Sequence, residues 1–478
     1  MTSLERRLGP LDAAAIVVSN VIGGGIFFVP ILVAQFTGDA RAMLLAWVAG
    51  GAFAFMGAMA YAELAALRPR SGGEYVYLRE AFGPIAAFLT GWTSFVAGFS
   101  GAIAASAVAL AEYVGRFWPA AGNATPLVTL ALPLVPIVVS RRTLVALFAI
   151  AIVTAVHVRG LGPGRLVQNT LGGAKVAALV AFVALGFAAG RGDAAHLIAP
   201  GHAAASGMLI AFIPIMFTYS GWNAAVYVAE EVRAPGRNVP LALGLGTLAV
   251  VVLYLGLNAL YLYAMPVGEL AGVPGGRLID AVAERLFGFA AADLVAAFTI
   301  VSIAASVSAM VIAGPRVYFA MARDGLVPDV MRRINPTTRV PDVAIVAQSL
   351  WSGVLVLCGS LAQLVSYTGF ALVLFAGIAV AALFVLRRRG PDAPRPFRAW
   401  GYPIAPAVFV AACAVMVVNE LWRNPGTSAA GVAIIGAGVP VYLWTVARPE
   451  GGKVVRQEFK AERSEGRKVQ GRKVKAER

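Results

Sequence analysis

The chain has 478 residues, 59% of them hydrophobic and only 13% charged, with a formal net charge of +15. Soluble globular domains carry about 25% charged residues, whereas apolar runs of 18 residues or more recur here from end to end, so a string of soluble domains is excluded. Outer-membrane barrels show short alternating segments instead, and these are not found, which leaves an all-α polytopic membrane protein.

In chain order the apolar runs predict helices near 11–36, 41–67, 82–114, 143–158, 166–189 and 205–230. A second set follows near 241–265, 290–322, 342–358, 362–386, 403–422 and 428–447, making about twelve spans. Pro126, Pro133 and Pro136 break the stretch before Arg141 and Arg142, so 126–140 is expected to be a folded external loop. The first apolar run is too long for a cleavable signal peptide and continues as a span.

Lys and Arg set the expected orientation. With both termini inside, the inner segments hold 18 basic residues outside the C-terminal tail against 8 in the outer ones. That asymmetry predicts cytoplasmic N and C termini and an inner-membrane (plasma-membrane) location. The tail, 449–478, is basic, alternates with Glu and has no apolar face, so disorder and attraction to anionic lipid are expected there. Nucleic-acid binding is the weaker reading of that charge.

The first span contains Ser19-Asn20-Val21-Ile22-Gly23-Gly24-Gly25-Ile26-Phe27. Three consecutive glycines each cost about 1 kcal/mol in a helix relative to Ala. They favour an unwound stretch whose N–H and C=O groups are left to a ligand, rather than the spaced glycines of a packing face. The sixth span carries Phe217-Thr218-Tyr219-Ser220-Gly221-Trp222-Asn223 just after Pro214, where polar side chains cluster at bilayer depth. Spans one and six open two five-helix halves, 11–190 and 205–387, and paired interruptions at corresponding positions point to a midplane site of an inverted-repeat transporter. Half-helix N-termini suit a carboxylate, and free carbonyls suit an ammonium, so an α-amino acid fits.

Lys175 lies about 13 Å along its helix from Leu166, at 1.5 Å per residue. A lysine at a span centre costs about 2.5–3.5 kcal/mol. It is expected to point into the bundle as a fixed cation that donates to unwound carbonyls. Glu63, Glu112, Glu230, Glu231 and Arg316 fall toward span ends, where interfacial water is expected to solvate them. His157 reads as an interface residue for the same reason. No acidic residue is expected near the site, which favours a neutral substrate. Cys358 and Cys413 stand alone in apolar spans, so neither a disulfide nor a metal site is expected, and no cofactor is implied.

Several segments jointly resemble the amino acid–polyamine–organocation superfamily, and within it bacterial relatives of the L-type amino acid transporters. They are Ile22 to Phe27, Ser71-Gly72-Gly73-Glu74-Tyr75, Arg165 to Asn169 leading to Lys175, Phe217 to Asn223 with Glu230-Glu231, and Arg398 to Pro403. The resemblance covers about 1–450. It implies the leucine-transporter-like fold, a five-plus-five inverted repeat with two further helices in 403–448. It also implies a substrate site formed by Val21, Gly23, Gly24, Gly25, Phe217, Ser220 and Gly221, with Phe217 and Trp222 as gates. On this resemblance Lys175 stands where sodium-coupled relatives hold a sodium ion. Where the family has Gly-Ser-Gly this chain has Gly23-Gly24-Gly25, so a hydroxyl contact to the carboxylate is missing. Residues 115–142 contain no cysteine, so the disulfide that joins eukaryotic members to a heavy chain has no counterpart.

The expected function is secondary transport of small neutral amino acids by alternating access, as exchange or proton symport, and not an enzyme. Its rivals are a cationic amino acid or polyamine transporter or a sodium symporter of the same fold, a channel or sensor, and a membrane-embedded enzyme. Three scattered histidines without an intramembrane carboxylate pair argue against the last.

Overall fold

The computed structural model describes residues 4–130, 136–201, 205–273, 278–358, 361–423 and 425–447; the expected basic tail at 449–478 and Pro133 lie outside them. Among the described residues nine helices are long and apolar enough to cross a membrane, from Ala40–Leu67 to Ser428–Ala447. The bent pair Pro10–Val21 and Gly25–Thr37 makes a tenth span. The shorter apolar helices Ala205–Tyr219 and Asp342–Cys358 occupy the sixth and ninth predicted runs. Each of the twelve runs is thus a helix.

Helix starts follow local chemistry. Pro10, Pro84, Pro235 and Pro315 sit in first turns, where a missing N–H leaves no bond unmade. Asp39 accepts from the Ala42 N–H at 2.8 Å to cap the second span. The 126–140 loop holds a hairpin, Pro126–Leu130 paired antiparallel with Ile137–Ser140. Short helices that hydropathy does not reveal, including Glu74–Phe82 and Leu278–Phe287, fill the connections.

The two interruptions differ in form. The first span breaks at 22–24, and its halves are bent by 48°. The sixth was expected to run to residue 230; instead the helix ends at Tyr219 and resumes only as the turns Ala224–Tyr227 and Ala229–Glu231. Gly221 explains the stop. Its φ is +99°, and a Cβ there would lie 2.6 Å from Asn20 Nδ2, so only glycine admits this backbone. The upper half of span one packs on Ala205–Tyr219, while its lower half packs on Pro235–Ala264, Leu161–Ala188 and Phe289–Ala313.

Burial overturns part of the charge reading. Glu112 and Glu230 do stand at span ends, paired with Arg142 at 2.6 Å and Arg323 at 2.9 Å. Glu231 and Arg316, however, are 0% and 1% exposed and form a two-pronged pair at 2.7 and 3.1 Å. Glu63 is also fully buried, holding Arg387 at 2.6 and 2.8 Å and the Ala399 N–H at 2.7 Å. His157 is buried with Nε2 2.9 Å from Ser308 Oγ, and so is not an interface residue. Hydropathy located these groups along their helices but not on which side they face. The side turned to neighbours lets a partner replace water, as buried charges require.

Apart from the Glu112–Arg142 pair, which joins the end of span three to the start of span four, these contacts gather at one end of the bundle. Arg79 pairs with Asp324, which also accepts from Tyr75 Oη at 2.8 Å. Glu230 accepts from the Ser71 N–H at 3.2 Å, and the Leu8 backbone donates to the Glu231 carbonyl at 3.0 Å and accepts from the Arg233 N–H at 2.9 Å. Gly73, at φ +52°, lets the chain pass against Tyr227, whose ring a Cβ would meet at 2.6 Å. The N-terminus, the loop after span two, the end of span six and the end of span eight are therefore knit together.

Removing one partner of a buried pair costs about 3–5 kcal/mol, because the other charge stays buried without compensation. Arg316→Leu is expected to lower thermal stability sharply in detergent, and Arg316→Leu combined with Glu231→Gln to recover part of the loss. Equal melting temperatures for the single and double variants would show the pair is not coupled.

Candidate functional site

The two interruptions face one cavity. Its wall includes Asn20, Val21, Gly23, Gly24 and Gly25 from span one and Phe217, Thr218, Ser220, Gly221 and Asn223 from span six. Thr93, Ser94, Gly98 and Phe99 join from span three, Ser306 and Met310 from span eight, and Ala371 and Phe375 from span ten. Span three turns once as a π-helix over Ser94–Gly98, a local widening that recurs at functional sites. The run Ser94-Phe95-Val96-Ala97-Gly98 gives no hydropathy signal for it.

Backbone groups make up much of this wall. Gly24 and Gly25 open the second half of span one, where N–H groups have no preceding turn to accept from them. A Cβ on Gly24 would meet nothing within 4 Å, whereas one on Gly25 would stand 3.1 Å from Thr218 Oγ1. The Val21 carbonyl accepts from Tyr254 Oη at 3.0 Å and from the Gly23 N–H at 2.7 Å. The Phe217 carbonyl accepts from Ser220 Oγ at 2.6 Å and the Ser220 N–H at 3.1 Å. Both carbonyls therefore already have donors within the protein.

Lys175 is fully buried beside the break. Its Nζ donates to the Ser19 carbonyl at 3.2 Å, to the Ile22 carbonyl and to Ser306 Oγ at 2.8 Å. Ser306 Oγ in turn donates to the Ile22 carbonyl at 2.8 Å. A helix that stops at Val21 leaves its last carbonyls without N–H partners, and a lysine and a serine from two other spans meet them.

Phe217 and Ser220 line a second cavity as well, which is walled by Phe28, Leu32, Pro214, Phe370 and Met416. Phe217 thus stands between two hollows. Trp222 does not line either one: it is buried with its ring 4.8 Å from Tyr61 and 5.9 Å from Phe409, against Gly57. Of the two residues expected as gates, only Phe217 borders a cavity, because the turn at Gly221 sends the Trp222 side chain into the bundle.

Three residues of the site escaped the sequence reading. Tyr254 Oη bonds both interrupted helices, at Val21 O and at 3.2 Å from Thr218 O. Asn20 Nδ2 reaches the Gly221 carbonyl at 3.3 Å. Glu74, fifty residues after Gly24 and outside its span, also lines the cavity. It corrects the expectation that no acidic residue stands near the site. Its Oε1 accepts from Tyr61 Oη at 2.6 Å and Asn223 Nδ2 at 2.8 Å. Burial raises its carboxyl pKa above the ordinary value, against the pull of those hydrogen bonds. The signals available were Asn20 beside the glycine run, Glu74 in the Ser71–Tyr75 segment and Tyr254 in a mostly apolar helix, none of which reveals its neighbours.

A sequence profile described as "Amino acid permease" matches residues 8–446 of this chain. The "Large neutral amino acids transporter small subunit 2" of Mus musculus is 28% identical over 452 residues, covering 92% of this chain and 81% of its own. The "b(0,+)-type amino acid transporter 1" of Mus musculus is 30% identical over 403 residues, covering 83% and 79%. The "Cystine/glutamate transporter" of Homo sapiens is 28% identical over 449 residues, covering 92% and 85%.

Tyr254→Phe deletes the hydroxyl that ties the two interruptions, and each such bond is worth about 0.5–1.5 kcal/mol net. Lower thermal stability and faster amide exchange at residues 20–25 and 217–223 are expected together. Exchange unchanged in both segments would remove Tyr254 from the site's framework.

Proposed function

Since the chain belongs to the amino acid permease family of the amino acid–polyamine–organocation superfamily, we propose that it transports small neutral α-amino acids by alternating access. The observation that carries the reading is the pairing of two broken helices around one cavity. Open N–H groups at Gly24 and Gly25 are placed for a carboxylate. Carbonyls of Val21, Phe217 and Ser220 are placed for an ammonium, which at Val21 and Phe217 displaces one of the two donors each carbonyl already holds. Gly23 and Gly221 shape the backbone on either side, and Phe217 closes the cavity toward the second hollow.

Transport runs without sodium. The Lys175 ammonium occupies the acceptor set, Ser19 O, Ile22 O and Ser306 Oγ, that a bound cation would need. It holds the break as a built-in charge and passes the movement of span one to spans five and eight. The five-helix halves 11–190 and 205–387 form the inverted repeat that rocks, and 403–448 adds two helices. The knit end of the bundle, rich in arginine, faces the cytoplasm of the inner or plasma membrane, with both termini inside. The chain works without a disulfide-linked heavy chain, since 115–142 holds no cysteine. No enzymatic step is proposed.

The test is recognition of both backbone charges. L-Alanine should raise the melting temperature of the purified protein, while alaninamide and N-acetylalanine should not, with or without sodium. Gly24→Leu should abolish binding and leave a folded protein, and Gly24→Ser should keep it. Equal stabilisation by the blocked forms sinks the proposed site. Lys175→Ala should lose most transport in proteoliposomes with a smaller loss of binding; parent-level rates would return Lys175 to a passive anchor.

A further inference from the structure

The cavity wall contains one carboxylate, Glu74, and no lysine or arginine among the described residues. A zwitterionic amino acid brings no net charge to balance it. An ionised carboxylate this deeply buried costs several kcal/mol unless a positive charge joins it. The groups that face it are all neutral donors: Tyr61 from span two and Asn223 from the turn of span six, with Tyr227 bonded to Asn223 at 3.1 Å and Tyr77 beside it on its own helix.

Charged groups on the elements packed against Glu74–Phe82 are engaged elsewhere, except Arg388, which is exposed. Arg79 is with Asp324, Arg323 with Glu230, Arg316 with Glu231, Arg387 with Glu63 and Arg68 with Glu80. Arg389 donates to the Glu80 carbonyl at 2.8 Å. Span three contributes no ionisable residue between Pro84 and Thr93. Among the described residues no cation faces Glu74, so the charge that balances it is sought outside them.

Size decides which charge it is. One carboxyl oxygen already takes two donors, at 2.6 and 2.8 Å, and the residue is only 7% exposed. An ammonium needs several acceptors around it, and this corner offers donors instead. A proton needs one oxygen.

We infer that Glu74 is the proton-binding carboxyl of the transport site, taken up with a neutral amino acid and released on the cytoplasmic side. The inference rests on the transport reading above and adds its coupling ion. Protonation places the proton on a carboxyl oxygen and breaks no covalent bond; release returns it to water. The effect passes through one contact: a neutral carboxyl accepts more weakly from Asn223, so it frees the turn that ends span six at Gly221. That turn also carries the Phe217 gate and Ser220. The proton therefore acts on the substrate's own wall, and burial raises the Glu74 carboxyl pKa above its ordinary value.

The experiment compares the full-length parent, Glu74→Gln and Glu74→Asp in proteoliposomes with radiolabelled L-alanine and L-lysine. Exchange against internal L-alanine is measured beside uptake driven by an inward proton gradient. Gln keeps an acceptor for Tyr61 and Asn223 but cannot bind the proton. It should lose gradient-driven L-alanine uptake about tenfold more than it loses exchange, a usual size for coupling between two bound species. Glu74→Asp keeps a titratable carboxyl and should keep the gradient response with a shifted pH profile. That variant decides the matter if Glu74→Gln does not fold. Parent-level gradient-driven uptake in Glu74→Gln, or loss of the response in a folded Glu74→Asp with exchange intact, overturns the inference. So does a preference for L-lysine that vanishes in Glu74→Gln, since Glu74 would then be a cationic side-chain subsite. If the parent exchanges L-alanine but ignores the gradient, this inference alone falls. If it exchanges neither substrate, the transport reading falls and takes this one with it.

Discussion

A helix interrupted inside a bilayer leaves carbonyls with neither water nor the next turn to satisfy them, and that debt organises the middle of this protein. The first span stops at Val21, and Lys175 and Ser306 come from two distant spans to meet the Ser19 and Ile22 carbonyls. Tyr254 meets Val21 and Thr218, and Asn20 meets Gly221. The broken segments are thus not loose loops but backbone held open by side chains from at least three other helices. Without those donors, the cheapest response of the chain would be to rewind the helix and close the cavity.

Holding a break open at the centre requires stiffness at the ends. One end of the bundle has it in a series of ion pairs between non-consecutive segments, from Glu63 with Arg387 to Glu231 with Arg316 and Asp324 with Arg79. The glycines of Ser71-Gly72-Gly73 permit the close approach to Tyr227 and Ala320 that these pairs need. Tyr227, Asn223 and Glu74 then link that end to the cavity within a few hydrogen bonds. An arrangement of paired charges between rigid helices has discrete alternatives, kept or exchanged as sets, and such bistable contacts suit a two-state movement better than a soft interface does.

The spans were legible because hydropathy needs no partner: every apolar run holds a helix, and the largest departure is the sixth, which stops at Tyr219 at its interruption. The interruptions were legible because three glycines in a row and Ser220-Gly221 break a rule that holds for every helix in lipid. Lys175 was legible for its position, since its cost at a span centre demands acceptors wherever they are. Glu63, Glu231, Arg316 and His157 were misplaced at the interface, and for one reason. Distance from a helix end says how deep a residue lies, whereas burial depends on which neighbour its face meets.

Composition, periodicity and rule-breaking residues therefore determined the number of spans, their order, the two breaks and the buried lysine, because each is a property of one segment in one solvent. The partners of that lysine, the hydroxyl of Tyr254 between the two breaks, the withdrawal of Trp222 behind Tyr61 and Phe409, and the presence of Glu74 in the cavity wall were decided only by the tertiary structure. Each joins residues tens to hundreds of positions apart. No local pattern carries that information, since the same tyrosine or glutamate on the opposite face of its helix would give an identical hydropathy profile.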